Sequence, residues 1–291
     1  MITAVFGRTI DRANLPELID VLRMIKSSPS AKPIVYAPFY QYLKEVLQED
    51  ILGNCALFEA PSELPKETAL FFSLGGDGTF LSSVPLVGDK NIPIVGINFG
   101  RLGFLTTAAS GSIASLLEGN FTTESRNLLT MESSAMPEGF YPYALNEFSI
   151  QREGPAVLEL GIKVDGVAIP PYMADGVLVA TATGSTAYSM SAGGPIVMPG
   201  CKVLIIVPVA PHNLNIRPLV VAASSTIEVS FTTRYNHATL SADNRSFFLP
   251  NGAAVKITSS ERQVSIVKSG SGFIDALSRK LYWGADWRNS K

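Results

Sequence analysis

Two glycines, an acid and a third glycine, GGDG at residues 75–78, follow the apolar run ALFFSL at residues 69–74. A helical apolar pattern then resumes. A strand that ends on such a loop and continues into a helix puts Asp77 at the carboxyl edge of a sheet, where open α/β sheets bind ligands. The missing side chains of Gly75, Gly76 and Gly78 let the backbone turn sharply and let a bulky anion approach its amides. The helix, expected to start near Gly78 or Thr79, adds its positive dipole end and favours phosphate over Gly75, Gly76, Gly78 and Thr79. A carboxylate repels phosphate. Asp77 therefore takes a proton, holds a metal that carries the phosphate, or caps the helix.

A second segment, MADGVLVATATGSTAYSMSAGGPIVMPG at residues 173–200, runs from a strand into a loop crowded with hydroxyls and small residues. Backbone groups and the hydroxyls of Thr183, Ser185, Thr186 and Ser191 can read the edges of a polar ligand, and Tyr188 can stack on a planar ring. A plain surface turn with Tyr188 in the core is the competing reading. Asn146 and Glu147 sit inside the apolar ALNEFSI, and Asp175 precedes Gly176. Edge-strand polarity and an Asp-Gly turn would account for them blandly. A ribose diol needs a carboxylate acceptor, and either Glu147 or Asp175 suits it.

Bulk properties exclude several classes. Lys+Arg 23 against Asp+Glu 25 gives −2 without a block of like charge, which argues against a general nucleic-acid binder. No apolar run approaches the ~18–20 residues of a membrane span. The opening MITAVFGRTI reads as a first strand and not as a secretory signal, so a cytoplasmic protein is expected. Cys55 and Cys201 are expected to be buried thiols, and the two histidines, His212 and His237, offer no zinc-ligand spacing. No direct metal cluster is expected. P-loop, G-x-G-x-x-G and H-R-D patterns are absent.

The elements that must position these residues change character along the chain. Residues 1–122 alternate strand and helix (ITAVFG, LPELIDVLRMI, KPIVYA, FYQYLKEVLQ, ALFFSL, IPIVGI), which predicts a Rossmann-like parallel α/β domain. Residues 123–272 read as short alternating strands separated by turn signals, a β-rich, sandwich-like domain. Residues 273–291 return to helical spacing and are expected to pack back on the first domain.

Taken in order, LGGDGTFL, GINFGRLGFLT, ALNEFSIQR, ADGVLVATATGSTAYSMSAGGPIV and PVAPHNLNIRPLVV resemble the NAD kinases over essentially the whole chain. GGDG alone also occurs in diacylglycerol kinases, sphingosine kinases and phosphofructokinases, whereas its combination with NE and TGSTAYS is specific. The resemblance implies transfer of the γ-phosphate of ATP to the 2′-hydroxyl of the adenosine ribose of NAD, giving NADP, with Mg²⁺ or another divalent cation on the phosphates. It implies Asp77 as the proton acceptor, with Gly78 beside the dinucleotide. Asn146 and Glu147 would contact the adenosine half, and Asp175, Thr186, Ala187, Tyr188 and Ser191 would line the NAD pocket. Ala210 and Asn244, the latter beside Asp243, would touch NAD as well. A homodimer or homotetramer acting on small molecules, with neither nucleic acid nor membrane as partner, is implied too. The rival readings are a GGDG-type lipid kinase and a non-catalytic NAD-binding regulator. The first leaves TGSTAYS unexplained, and the intact GGDG speaks against the second.

Overall fold

The computed structural model describes residues 1–47, 49–100, 103–106, 108, 110–268 and 272–283. Arg101 and Leu102 of the GINFGRLGFLT motif, and residues 284–291 of the terminal helical segment, lie outside them. The chain forms two compact units, Met1–Ser125 with Val264–Lys291, and Arg126–Gln263.

The first unit carries β1 (Ile2–Gly7), α1 (Leu15–Ser27), β2 (Lys32–Tyr36), α2 (Ala37–Leu47), β3 (Ala56–Phe58), β4 (Thr68–Leu74), α3 (Asp77–Val87), β5 (Ile94–Ile97) and α4 (Ile113–Leu117). Its strands are apolar on both faces because helices cover a parallel sheet from either side. In α1 the buried residues are Leu18, Val21, Leu22 and Ile25, the i, i+3, i+4, i+7 stripe of a helix with one face inward. Each such burial is worth roughly 1.5–3 kcal/mol, and Pro16 sits in the first turn, where its missing amide costs nothing. The strands run in the order β3-β2-β1-β4-β5 with parallel pairing. The chain therefore grows outward from β1 to β3, then returns to the other side of β1. That reversal makes the β1/β4 boundary a topological switch point, the usual ligand crevice of a doubly wound sheet. Gly7 pairs with Leu74, so both strands end level, and GGDG leaves β4 at that point.

The second unit is all β apart from one short helix. Its elements are β6 (Thr123–Glu132), which enters from the first unit, β7 (Tyr143–Ala144), β8 (Glu147–Arg152), β9 (Leu158–Val164), β10 (Val167–Ala174), β11 (Gly176–Thr181), α5 (Tyr188–Ser191), β12 (Val203–Val209), β13 (Leu219–Ala222), β14 (Ile227–Thr232), β15 (His237–Ala242), β16 (Arg245–Pro250) and β17 (Ala254–Val267). One antiparallel sheet is ordered β13-β12-β11-β8-β15-β16, and β10-β9-β14-β17 forms the other. Inward residues of both, among them Phe148, Ile150, Val179 and Ile206 with Leu160, Ile162, Val229 and Phe231, share one core. This is the packing of a sandwich. β11 is buried along its whole length. Its outer side chains Leu178 and Ala180 pack with Ile205 and Val207 under Ala192 and Val197 of the glycine-rich segment.

β17 carries the chain back to the first unit, pairing Ile257 with Ile227 and, further on, Ile266 with Ile94. The last helix, α6 (Phe273–Leu281), belongs to that unit. The expected buried thiols are a correction: Cys201 is exposed, Cys55 is partly buried, and both are free. Cys201 follows Gly200, whose φ of 92° turns the chain at the surface ahead of β12. Among the described residues no helix is long and apolar enough to cross a membrane.

Candidate active site

The glycines of GGDG divide into two kinds. Gly75 has φ 146°, and a Cβ there would lie 2.5 Å from Thr79 Oγ1, so the turn itself demands glycine. Its N–H donates to the Ile97 carbonyl at 2.9 Å, tying the loop to β5. Gly76 and Gly78 are different: a Cβ at either would meet nothing within 4 Å. The protein's own packing does not require them to be bare. Open space lies where their side chains would be, over amides that start a helix.

α3 begins at Asp77, earlier than the sequence pattern indicates, with Gly76 in the capping position accepting from the N–H groups of Thr79 and Phe80 at 2.9 and 3.1 Å. Asp77 is thus not the cap. Its carboxylate turns to the segment 103–106. Oδ1 accepts from the N–H of Leu105 at 3.1 Å, the N–H of Thr106 at 3.0 Å and the hydroxyl of Thr106 at 2.9 Å. Oδ2 accepts from the N–H of Phe104 at 2.9 Å. A Cβ on Gly103 would fall 1.9 Å from Oδ1, so only glycine permits this approach. Lys280 of α6 brings its Nζ to 3.5 Å from Oδ2. A carboxylate has about four lone-pair positions. Oδ1 is saturated, and the weakest contact on the carboxylate is the 3.5 Å approach of Lys280 to Oδ2.

In the second unit, Glu147 opens β8, with Asn146 just before it, beside the turn that carries Asp243. The Asp243 carboxylate accepts from the N–H groups of Leu145 (2.9 Å), Asn146 (2.8 Å) and Glu147 (3.2 Å), and its own N–H donates to the Glu147 carbonyl at 3.0 Å. Asp243 adopts φ 51°, a left-handed position at which Asp is tolerated, and exposed Asn244 follows it. The Asn146 carbonyl accepts from the N–H of Thr181 at 2.9 Å, and Gly184 lies against it so closely that a Cβ would come within 2.2 Å. The NE pair, the end of β11 and the start of the hydroxyl loop are therefore one structure. Glu147 retains only 9% of its surface. Its Oε2 is buried with no hydrogen-bond partner among the described residues. Burial first, and the nearby Asp243 second, push its carboxyl up to about 8. Asp243 is also raised by burial, against the pull of its backbone donors and of Arg245.

Asp175 occupies the other end of β11. Its carboxylate pairs in two places with Arg152, Nε to Oδ1 at 2.6 Å and Nη2 to Oδ2 at 3.0 Å. Its N–H donates to the Val209 carbonyl, next to Ala210, whose φ of 44° is uncommon for a residue with a side chain. The Tyr188 hydroxyl donates to Gln151 Oε1 at 3.2 Å, and 37% of that residue is exposed. The reading of Tyr188 as plain core is therefore set aside. Thr186 closes the 3₁₀ turn with its hydroxyl on the Thr183 carbonyl at 3.4 Å, Ala187 joins that turn to α5, and Ser191 ends α5. β11 pairs Ala180 with Glu147 and Gly176 with Gln151. Five residues of strand separate the Asp175 end from the Glu147 end, about 17 Å at ~3.3 Å per residue. The two carboxylates cannot share one ribose.

Gly103, Phe104, Thr106, Arg152 and Lys280 received no role from the sequence. Gly103 to Thr106 stand inside a quoted motif, and Arg152 ends another, but Lys280 carries no local signal.

Two family models match the chain: the ATP-NAD kinase N-terminal domain over residues 57–124 and the ATP-NAD kinase C-terminal domain over residues 145–269. A curated NAD kinase of Cytophaga hutchinsonii is 34% identical over 297 residues, covering 99% of this chain and 100% of the relative. One from Bacteroides fragilis is 33% identical, covering 98% and 99%. Among solved structures, an Archaeoglobus fulgidus NAD kinase in complex with ATP matches with TM-score 0.71 and 27% identity, covering 97% of this chain and 99% of that one. A yeast NADH kinase complexed with NADH shares the fold, with TM-score 0.82, 23% identity, and coverage of 100% and 90%.

Proposed function

The chain belongs to the NAD kinase family, transferring the γ-phosphate of ATP to the 2′-hydroxyl of the adenosine ribose of NAD to give NADP, and on that premise we propose how its residues divide the work. Asp77 is the general base. The observation that carries this is its carboxylate, aimed by the amides of residues 104–106 and the Thr106 hydroxyl, with Oδ2 held beyond the Phe104 amide only by a long 3.5 Å contact with Lys280 that a hydroxyl can displace. From there it can orient the ribose hydroxyl and take its proton. The bare positions Gly76 and Gly78, together with Gly75 and Thr79 at the start of α3, hold the triphosphate through backbone amides and the helix dipole. Such transfers ask the protein for positioning and charge neutralisation more than covalent chemistry.

The donors around Asp77 are N–H and O–H groups and an ammonium, a set that disfavours a cation on its carboxylate. A divalent cation such as Mg²⁺ would therefore ride on the ATP phosphates, where it would offset their charge. Glu147 and Asn146 bind the adenosine half of NAD. A carboxyl raised to about 8 enters the site protonated at neutral pH, able both to donate and to accept toward a hydroxyl or ring nitrogen. Asp175, Thr186, Ala187, Tyr188, Ser191, Ala210 and Asn244 complete the dinucleotide contacts. The separation of Asp175 from Glu147 supports contact with different groups, and a homodimer or homotetramer is the expected assembly. A cytoplasmic location accords with these substrates.

The test is direct. Incubation with Mg·ATP and NAD should produce NADP, read by a dehydrogenase specific for it. Absence of NADP, or phosphorylation of diacylglycerol in a parallel assay, would overturn the reading.

A further inference from the structure

Lys280 lies in the last turn of α6. Its Nζ is 3.5 Å from Asp77 Oδ2 and 4.4 Å from the centroid of the Phe104 ring, the residue whose amide donates to that same oxygen. Phe104 also packs on Phe273, the first residue of α6, with ring centroids 5.9 Å apart. Both ends of one helix are thus fixed to the segment that aims Asp77, and the far end delivers a cation.

The ion pair is not built as an anchor. A charge-assisted bond of this type closes to about 2.7–2.9 Å, and this one stays at 3.5 Å with side chains 36% and 28% exposed. The negative charge of Asp77 is already met by four shorter bonds. A pair so long and so exposed adds little to stability. The ring contact is what keeps the ammonium beside the GGDG turn, on a flexible stem suited to a moving point charge.

We propose that Lys280 is a further catalytic residue of the transfer: its ammonium holds Asp77 Oδ2 in the resting enzyme and passes to the γ-phosphate of ATP once Oδ2 engages the ribose hydroxyl. This rests on the reading of Asp77 as the base. In the step itself the 2′-oxygen bonds to the γ-phosphorus, and the bond from that phosphorus to the β–γ bridging oxygen breaks, its electron pair leaving with ADP. The hydroxyl proton goes to Oδ2. A protonated Asp77 no longer attracts the ammonium, so the cation is released to the phosphoryl oxygens as they come to need it.

Lys280→Met keeps the stem and a sulfur–aromatic contact with Phe104 while deleting the charge. Its kcat/KM for Mg·ATP should fall at least tenfold, with the KM for NAD and the melting temperature unchanged, and Lys280→Arg should recover most of the loss. Calorimetry with inorganic tripolyphosphate on the NAD-saturated enzyme, without a divalent cation, should show about tenfold weaker binding for Lys280→Met. Unchanged ATP kinetics in Lys280→Met would overturn the role of Lys280 alone. A drop in melting temperature and NAD affinity matching the kinetic loss would make Lys280 an anchor and overturn it as well. Near-full activity of Asp77→Asn, measured alongside, would instead remove the base and this proposal with it.

Discussion

Asp77 and Glu147 are both acids at the ends of strands, and their surroundings make them chemical opposites. Asp77 accepts from donors that converge on its carboxylate, whereas Glu147 is buried beside another acid with an unpartnered oxygen. Asp77→Asn keeps an acceptor for the three donors on Oδ1 but loses the base. Turnover should fall by about two orders of magnitude or more, with NAD binding near normal by calorimetry. Retained turnover would disqualify Asp77. The raised Glu147 carboxyl links folding to pH. The folded state holds its proton up to about 8, the unfolded chain only to about 4.5. Between those values the folded state binds more protons, so stability must decline as pH rises, by up to about 1.4 kcal/mol per pH unit. Urea titrations of Glu147→Gln from pH 5 to 8 should show that decline flattened. An unaltered slope would mean that Glu147 titrates normally.

At the scale of elements, the β4–α3 turn separates a glycine that its own packing requires, Gly75, from two that it does not, Gly76 and Gly78. Gly103→Ala forces a Cβ into Asp77 Oδ1 and should abolish activity by displacing the base, with a loss of stability detectable by thermal melting. Gly76→Ala meets no neighbour, so the fold should melt normally while the KM for ATP rises roughly tenfold. A normal KM in Gly76→Ala would show that no phosphate approaches there. GGDG was legible because a strand, a bare loop and a helix leave a sequence pattern at short range. The segment 103–106 was not, because its relation to Asp77 spans nearly thirty residues and is made by backbone amides, which every residue type carries. The start of α3 was misjudged for a related reason: Gly76, a residue without a capping side chain, takes the capping position.

At the scale of the molecule, the proposed base and phosphate turn belong to the first unit and the proposed recognition groups for the acceptor to the second. Binding energies should divide in the same way. Glu147→Ala should weaken NAD binding at least tenfold in calorimetry and leave ATP binding within twofold. Equal losses for both ligands would reject the assignment of Glu147 to the dinucleotide. The chain reaches this division by leaving the first unit in β6 and returning in β17, so α6 and its Lys280 rejoin a unit begun more than two hundred residues earlier.

The order of the motifs, the change from alternating strand and helix to consecutive strands, and the acid within a bare turn were all present in the sequence. These signals are local: periodicities and turn chemistry are written over a few neighbouring residues. Tertiary structure alone decided which oxygen of Asp77 is the less saturated, that Glu147 and Asp175 stand a strand's length apart, and that Lys280 meets the turn that carries Asp77. Such facts depend on burial, on strand register and on where the backbone returns, and no short stretch of sequence encodes them.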